Sequence, residues 1–171
     1  TMIYLTLLTD YGFNLSATKE IAKNQNNPTI ISQIFTTVMS IKVTLLLISS
    51  FILVGLVQWI PVFNDHKILF YTSFLIVVGN TFLPTFLFQG IEKMSFIALF
   101  NFIAKLGFTG LIFILIKSPA DYKWVHGLWG LNYVIVDTVA LAIILLKFKI
   151  KLLQPKFSQF KATLNYSFEY F

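Results

Sequence analysis

The sequence predicts an all-α fold, a polytopic transmembrane helical bundle, and three observations lead there. The first is composition. The chain is 57% hydrophobic and 12% charged, against roughly 25% charged in a soluble domain, and its mean hydropathy is +0.78. The second is a set of four apolar runs, at 43–63, 68–88, 94–116 and 124–146, each long enough to cross a hydrocarbon core about 30 Å thick. The third is that every basic residue is a lysine, gathered at the ends of these runs, where topology-setting charges belong. Nineteen Phe and seven Tyr suit lipid-facing surfaces and interfacial belts. The absence of cysteine excludes disulfides and thiolate metal sites. The net charge of +6 is explained by topology, and with no basic recognition motif the chain is not expected to bind nucleic acid.

The elements follow in order. Residues 1–13 (TMIYLTLLTDYGF) have no basic n-region and no small-residue cleavage site, so they are not a signal peptide. They read as the end of a partial span, and 163–171 as the start of another, so the chain is expected to be a single partial transmembrane domain of a longer polytopic protein. Residues 14–27 are polar and end in Asn27-Pro28, an N-cap followed by proline at the first helical position. The helix from Pro28 to about 59 is roughly 48 Å long by its rise, longer than the membrane core. Its first turns, with Ser32, Gln33, Thr36, Thr37 and Ser40, are expected in water or a cavity. Pro61 should end that helix near its outer edge. In the span 68–88, Pro84 removes a backbone donor and predicts a kink, which makes it a hinge candidate. Ser118-Pro119-Ala120-Asp121 fits a capping box that opens the span 124–146.

Lysine bias sets the orientation. Lys19, Lys23, Lys93, Lys147, Lys149, Lys151, Lys156 and Lys161 fall on one side, which should be cytoplasmic; Lys67, Lys117 and Lys123 fall on the other. Two lysines remain. Lys105 lies mid-run in 94–116, where insertion costs at least about 2.5–3.5 kcal/mol. Such a residue normally faces a bundle interior or a watery cavity. By helical rise, Asp137 in the next, antiparallel run sits within about 3 Å of the same depth. The two could form a structural tie between neighbouring helices, or Lys105 could face a cavity and attract an anionic substrate; both readings stay open. Lys42, at the cytoplasmic edge of its span, could snorkel to headgroups or line the mouth of a cationic path. Asn101 is one turn before Lys105 on the same face. Asn80 and Asn132 are amides inside spans, suited to bridging helices or contacting sugar hydroxyls. Gly107 and Gly110 allow close helix approach. Gly12 can break the helix at the cytoplasmic rim, and Asn14 can cap the following turn.

No catalytic signature is present: there is no HExxH, P-loop, GxSxG or paired acidic metal motif. His66 and His126 are far apart and lack further ligands. The chain is not expected to be an enzyme, and no metal or cofactor is expected.

The stretches TDYGFNLSATKEIA (9–22) and FLFQGIEKM (86–94) resemble the O-antigen and capsular polysaccharide repeat-unit flippases, in the polysaccharide-biosynthesis branch of the MATE-like superfamily. FNFIAKLGFTGLIFILIKSPADY (100–122) and the tail 155–171 fit the same family, so the resemblance covers essentially the whole chain. It implies a two-lobe transporter of about twelve to fourteen helices, with this chain forming most of the first lobe. The implied cargo is an undecaprenyl-pyrophosphate-linked oligosaccharide, flipped across the bacterial inner membrane for O-antigen, capsule or exopolysaccharide synthesis. The lipid bilayer, a polysaccharide polymerase and the chain-length machinery are the other implied partners. With that cargo, Lys105 and more weakly Lys42 become pyrophosphate contacts. Asn101, Asn80 and Asn132 become sugar contacts, and Asp137 holds Lys105 or couples an ion. Asp10, Gly12, Asn14, Gln89, Glu92 and Lys93 form a motif at the cytoplasmic rim. The alternative is a cation-coupled small-molecule exporter on the same fold, which would favour acidic cavity residues.

Overall fold

The computed structural model describes residues 2–118, 122–148, 150–154 and 157–168. Among them there is no strand, and nine helices follow one another: α1 (Met2–Asp10), α2 (Phe13–Lys23), α3 (Pro28–Trp59), α4 (Pro61–Asp65), α5 (Lys67–Phe82), α6 (Thr85–Gly90), α7 (Met94–Leu115), α8 (Tyr122–Lys147) and α9 (Phe157–Phe168). Four stretches are long and apolar enough to cross a membrane: Pro28–Trp59, Lys67–Gly90, Met94–Leu115 and Trp124–Lys147. The all-α polytopic reading therefore holds.

Local chemistry explains most boundaries. Gly12, with φ 70°, separates α1 from α2, a left-handed conformation that glycine adopts without a Cβ clash. The polar stretch after it is not a loop. Phe13, Ala17 and Ile21 recur every fourth residue and bury one face of α2, so an apolar stripe hidden in a polar sequence makes a helix. Asn14 sits inside α2 instead of capping it; Gly12 is the N-cap. Asn27 caps α3 as expected, its Oδ1 accepting from the Ile30 N–H at 3.3 Å, with Pro28 next. α3 stops at Trp59, just before Pro61. Pro84 does more than kink: helical structure ends at Phe82 and resumes at Thr85. The proposed capping box lies outside the described residues at 119–121. α9 starts at Phe157, ahead of the expected 163, with Phe160 and Leu164 packed on the core; 169–171 lie outside the described residues.

The first turns of α3 depart from expectation. Ser32, Thr36 and Thr37 are buried, while Gln33 is exposed. The extended segment after α8 lies along this face. The Lys151 N–H donates to Ser32 Oγ, and the Leu153 N–H donates to Thr36 Oγ1, both at 3.2 Å. Hydroxyls spaced one turn apart thus satisfy backbone N–H groups of a segment outside the helices.

α7 and α8 do pack together, but the most extensive contact of α8 is with α5. Two glycines permit it. A Cβ on Gly130 would lie 2.5 Å from Leu75 Cβ and 2.8 Å from the Ile76 backbone nitrogen, and one on Gly79 would lie 2.8 Å from Tyr133 Cβ. Small residues that let backbones approach are the usual glue between apolar helices, where lipid competes equally for hydrophobic contacts. α7 is different: only Phe100 and Ala104 are buried along it.

Replacing Gly130 with Ala should therefore destabilise the bundle by at least about 2 kcal/mol through overpacking against backbone. Gly110→Ala, where nothing lies within 4 Å of the new Cβ, should be neutral or mildly stabilising. Thermal unfolding of the detergent-solubilised protein, followed by size-exclusion chromatography, separates the two; equal melting of both variants would contradict this packing account.

Candidate substrate path and its charged wall

The break at Gly12 places the end of α1 beside the middle of α3. There the Lys42 side chain is enclosed, 1% exposed, and its Nζ lies 3.2 Å from Asp10 Oδ1. The snorkelling expectation for Lys42 fails for a geometric reason. Lys42 is about 21 Å along α3 by helical rise, too deep for its stem to reach the helix start, and a carboxylate waits beside it. The other Asp10 oxygen accepts from Asn14 Nδ2, across the helix break. Asn14 Oδ1 in turn accepts from Thr85 Oγ1, at the start of α6. A lysine, a carboxylate, an amide and a hydroxyl thus link α3, α1, α2 and α6 in one chain. They line a cavity of about 80 Å³ with Thr6, Thr9, Asn80 and Leu83. Asn80 donates through Nδ2 to the Ile76 carbonyl at 2.9 Å, in the last turns before the Pro84 break.

Asp10, Thr6 and Asn80 also line a second, larger space of about 700 Å³ between α1, α5 and α8. Its walls are mostly apolar: Met2, Leu7, Phe70 and Trp129 among them, with Ser73 and His126 further along. The Asp10 side chain, 35% exposed, is where the two spaces meet.

Lys105 and Asp137 are not brought together. Asp137 is 1% exposed, and its Oδ2 has no hydrogen-bond partner among the described residues. Lys105 stands exposed on α7. Depth and helical phase both separate them: Asn132 reaches the Ala104 carbonyl beside Lys105, which leaves Asp137 five residues further along α8, about 7.5 Å by helical rise. Asn101, Lys105 and Thr109 follow at four-residue steps on α7, half-buried, exposed and exposed, forming one polar stripe at mid-span.

The remaining site residues fall into place by packing. Asn132 bridges helices: its Nδ2 donates to the Ala104 carbonyl at 2.6 Å, and its Oδ1 would lie 2.5 Å from a Cβ on Gly107. Gly107 thus admits the amide, which is occupied and buried. Gly110 makes no such contact. The rim residues form one junction. Thr18 Oγ1 donates to the Phe86 carbonyl at 3.2 Å and lies 3.3 Å from Gln89 Oε1. Gln25 Nε2 donates to the Gly90 carbonyl at 2.9 Å and to Glu92 Oε1 at 3.3 Å. Glu92 has φ 59°, and the Lys93 N–H closes the turn onto the Phe88 carbonyl at 2.8 Å. The stretches 9–22 and 86–94 are therefore two halves of one contact, made by α2 and α6. Among the described residues no group of three or more His, Asp or Glu could hold a metal.

Sequence reasoning missed Thr85, Thr18, Thr6 and Thr9. Asp10 and Asn14 are four residues apart but lie on different helices, either side of the Gly12 break, so no helix face announces their pairing, and nothing in the sequence pairs them with Thr85.

Lys42→Met should cost about 3 kcal/mol, because removing one partner strands the other carboxylate; this is the low end of that range, since Asp10 is partly solvated from the groove. Adding Asp10→Asn should recover more than half of the loss. A double-mutant cycle on thermal stability checks this, and additive losses would show that the pair is not coupled.

Comparison with known proteins gives a consistent answer. The family model described as "Polysaccharide biosynthesis protein" matches residues 1–171. A protein named "Putative O-antigen transporter" from Escherichia coli (strain K12) is 31% identical over 144 residues, covering 84% of this chain and 35% of that protein. A protein of the same name from Shigella dysenteriae is 34% identical over 122 residues, covering 70% of this chain and 30% of that protein. The chain thus spans about a third of the length of these curated relatives. No solved structure matches. With its full length matched and four helices able to span a membrane, this chain belongs to the polysaccharide biosynthesis protein family.

Proposed function

We propose that this chain is part of the first lobe of a two-lobe transporter that moves a polyprenyl-pyrophosphate-linked oligosaccharide across the bacterial inner membrane. Two relatives named as O-antigen transporters support the polysaccharide class of cargo. The observation that carries the reading is Lys105, exposed at mid-span and joined by Asn101 and Thr109 on one stripe of α7. A lysine facing hydrocarbon at this depth costs several kcal/mol. The cost disappears if the stripe faces a hydrated cavity between lobes, and there the ammonium offsets the burial of phosphate charge. Amide and hydroxyl neighbours satisfy sugar hydroxyls in the same cavity. Asn132, bound to Ala104, serves as a helix bridge in this scheme, and Lys42 supports the lobe from within. Rocking of one lobe against the other about interrupted helices would expose the stripe alternately. The break at Pro84 supplies such an interruption. A cation-coupled exporter would draw on acidic groups facing a path, and Asp10, 35% exposed on the larger groove, is one such group; the names of the two relatives favour the polysaccharide cargo.

In proteoliposomes of the full-length protein, Lys105→Ala should slow flipping of a fluorescent short-chain polyprenyl-pyrophosphate oligosaccharide at least tenfold, and Lys105→Arg should retain most of it. Unchanged flipping by the alanine variant at normal expression would remove Lys105 from the path. Export of cationic dyes, with no flipping by the wild type, would favour the exporter.

A further inference from the structure

One end of the bundle combines an apolar pocket with lysines that have no acidic partner. The pocket, about 290 Å³, lies between the start of α3, α6 and the segment that follows α8. Ile31, Leu87 and Ile150 are its buried walls. Phe148 closes one side, its ring edge-on to Phe88 and Phe96 at 6.4 and 6.0 Å. Gln25, Pro28 and Lys93 line it from the exposed side. Lys147 and Lys151 flank Phe148 and Ile150 in the sequence, and both are exposed. The Lys147 ammonium stands over Phe96, 5.1 Å from the ring centroid, which brings it to the first turn of α7, directly after Lys93. None of these three lysines is in an ion pair among the described residues. Glu92, the acid beside Lys93, accepts from Gln25 Nε2 at 3.3 Å, so three ammonium groups face one carboxylate. On α2, Glu20 is taken by Lys23.

Depth places this cluster in the bilayer. Lys93 lies about 17 Å from the middle of Met94–Leu115 by helical rise, and Lys147 about the same distance from the middle of Trp124–Lys147. Both lie just beyond the half-thickness of the hydrocarbon core, about 15 Å, at the level of lipid phosphates.

We propose that this pocket binds an acidic glycerophospholipid of the bilayer, its phosphate held by Lys93 and Lys147 and the start of an acyl chain laid against the apolar walls. Basic pockets between helices at headgroup depth recognise anionic lipids. The lysines select net negative charge, because a zwitterionic headgroup brings its own cation to a site already rich in them. The apolar walls select an amphiphile over a free anion, which would leave Ile31, Leu87 and Ile150 uncovered. A lipid seated here fastens the start of α7 to the end of α8 and caps the corner that follows Pro84. This inference does not depend on the cargo.

Native mass spectrometry of the full-length protein in detergent, titrated with phosphatidylglycerol or phosphatidylcholine, reads the tightest lipid adduct directly. Phosphatidylglycerol should bind at least tenfold more tightly. Lys93→Gln with Lys147→Gln should remove that preference, and Lys93→Arg with Lys147→Arg should keep it. Lys67→Gln with Lys161→Gln removes the same charge away from the pocket and should change phosphatidylglycerol binding less than twofold. Equal binding of the two lipids, or an equal loss in both glutamine pairs, would overturn the site. Displacement of phosphatidylglycerol by an equal concentration of glycerol 1-phosphate would reduce it to an anion site, and displacement by an equal concentration of a polyprenyl pyrophosphate would give it to the cargo; either result overturns the proposal.

Discussion

The enclosure of Lys42 is the constraint on which the rest of this bundle depends. An ammonium cannot be left unpaired in an apolar interior, so something must reach it in the middle of a 32-residue helix. Asp10 does so, and the sequence arranges for Asp10 to be available. Gly12 ends α1 there with a positive φ, which turns the chain away before it can run past the lysine. The same turn starts α2 at an angle that lets Asn14 reach back to Asp10 and across to Thr85. One desolvated charge thus fixes the register of α1 against α3 and the origin of both short helices.

From that origin the junction of α2 and α6 follows. α2 carries its apolar stripe, Phe13, Ala17 and Ile21, against the helix that restarts after Pro84. Gly90 sits where a Cβ would meet Ile21 Cγ2 at 2.6 Å, so α6 can end only with a residue this small. Phe86, Leu87 and Phe88 are then fully buried, and Phe88 stacks on Phe96 and tilts against Phe100 at the start of α7. The Lys147 ammonium lies 5.1 Å from the centroid of the Phe96 ring, in range for a cation–π contact that anchors the end of α8 at the same level. The interruption at Pro84 is therefore a packed corner and not a loosely kinked helix.

The four long apolar helices were legible because hydrophobic length and proline are strong local signals; α3 opens at Pro28 and stops at Trp59, two residues before Pro61. The short helix α2 was not legible, since its three buried apolar residues are diluted by Asn14, Thr18, Lys19 and Glu20 and by Ser16, a polar residue that is itself buried. Relative depth and azimuth were not legible either: Asn132 reaches the Ala104 carbonyl, so Asp137, five residues further along α8, does not sit level with Lys105. Whether a mid-span charge points inward is decided by which neighbour packs closest, and for α8 that neighbour is α5, through Gly79 and Gly130. A single glycine in an apolar run gives no hint of which helix will use it. The hydroxyls of Ser32 and Thr36, expected in water or a cavity, were misplaced for a similar reason: their partners, the backbone N–H groups of Lys151 and Leu153, lie over a hundred residues away.

The two mid-span lysines illustrate how one residue type takes opposite roles on neighbouring elements. Lys42 belongs to a helix packed against α1, α2, α5 and α9, so its charge is matched inside and contributes to assembly. Lys105 belongs to α7, which buries little more than Phe100 and Ala104, so its charge is directed out of the bundle. If both were structural, α7 would gain from a hydrophobic residue at 105, because an outward lysine at that depth stabilises nothing within the described helices. If both were functional, Lys42 would have to be reached through the enclosed space of about 80 Å³ that it lines, far too small for a sugar chain; the larger groove of about 700 Å³ reaches only its partner Asp10. A division of labour satisfies both constraints: the inner lysine holds the lobe together, and the outer lysine, with Asn101 and Thr109 above and below it, presents charge and hydrogen-bonding groups to whatever occupies that face.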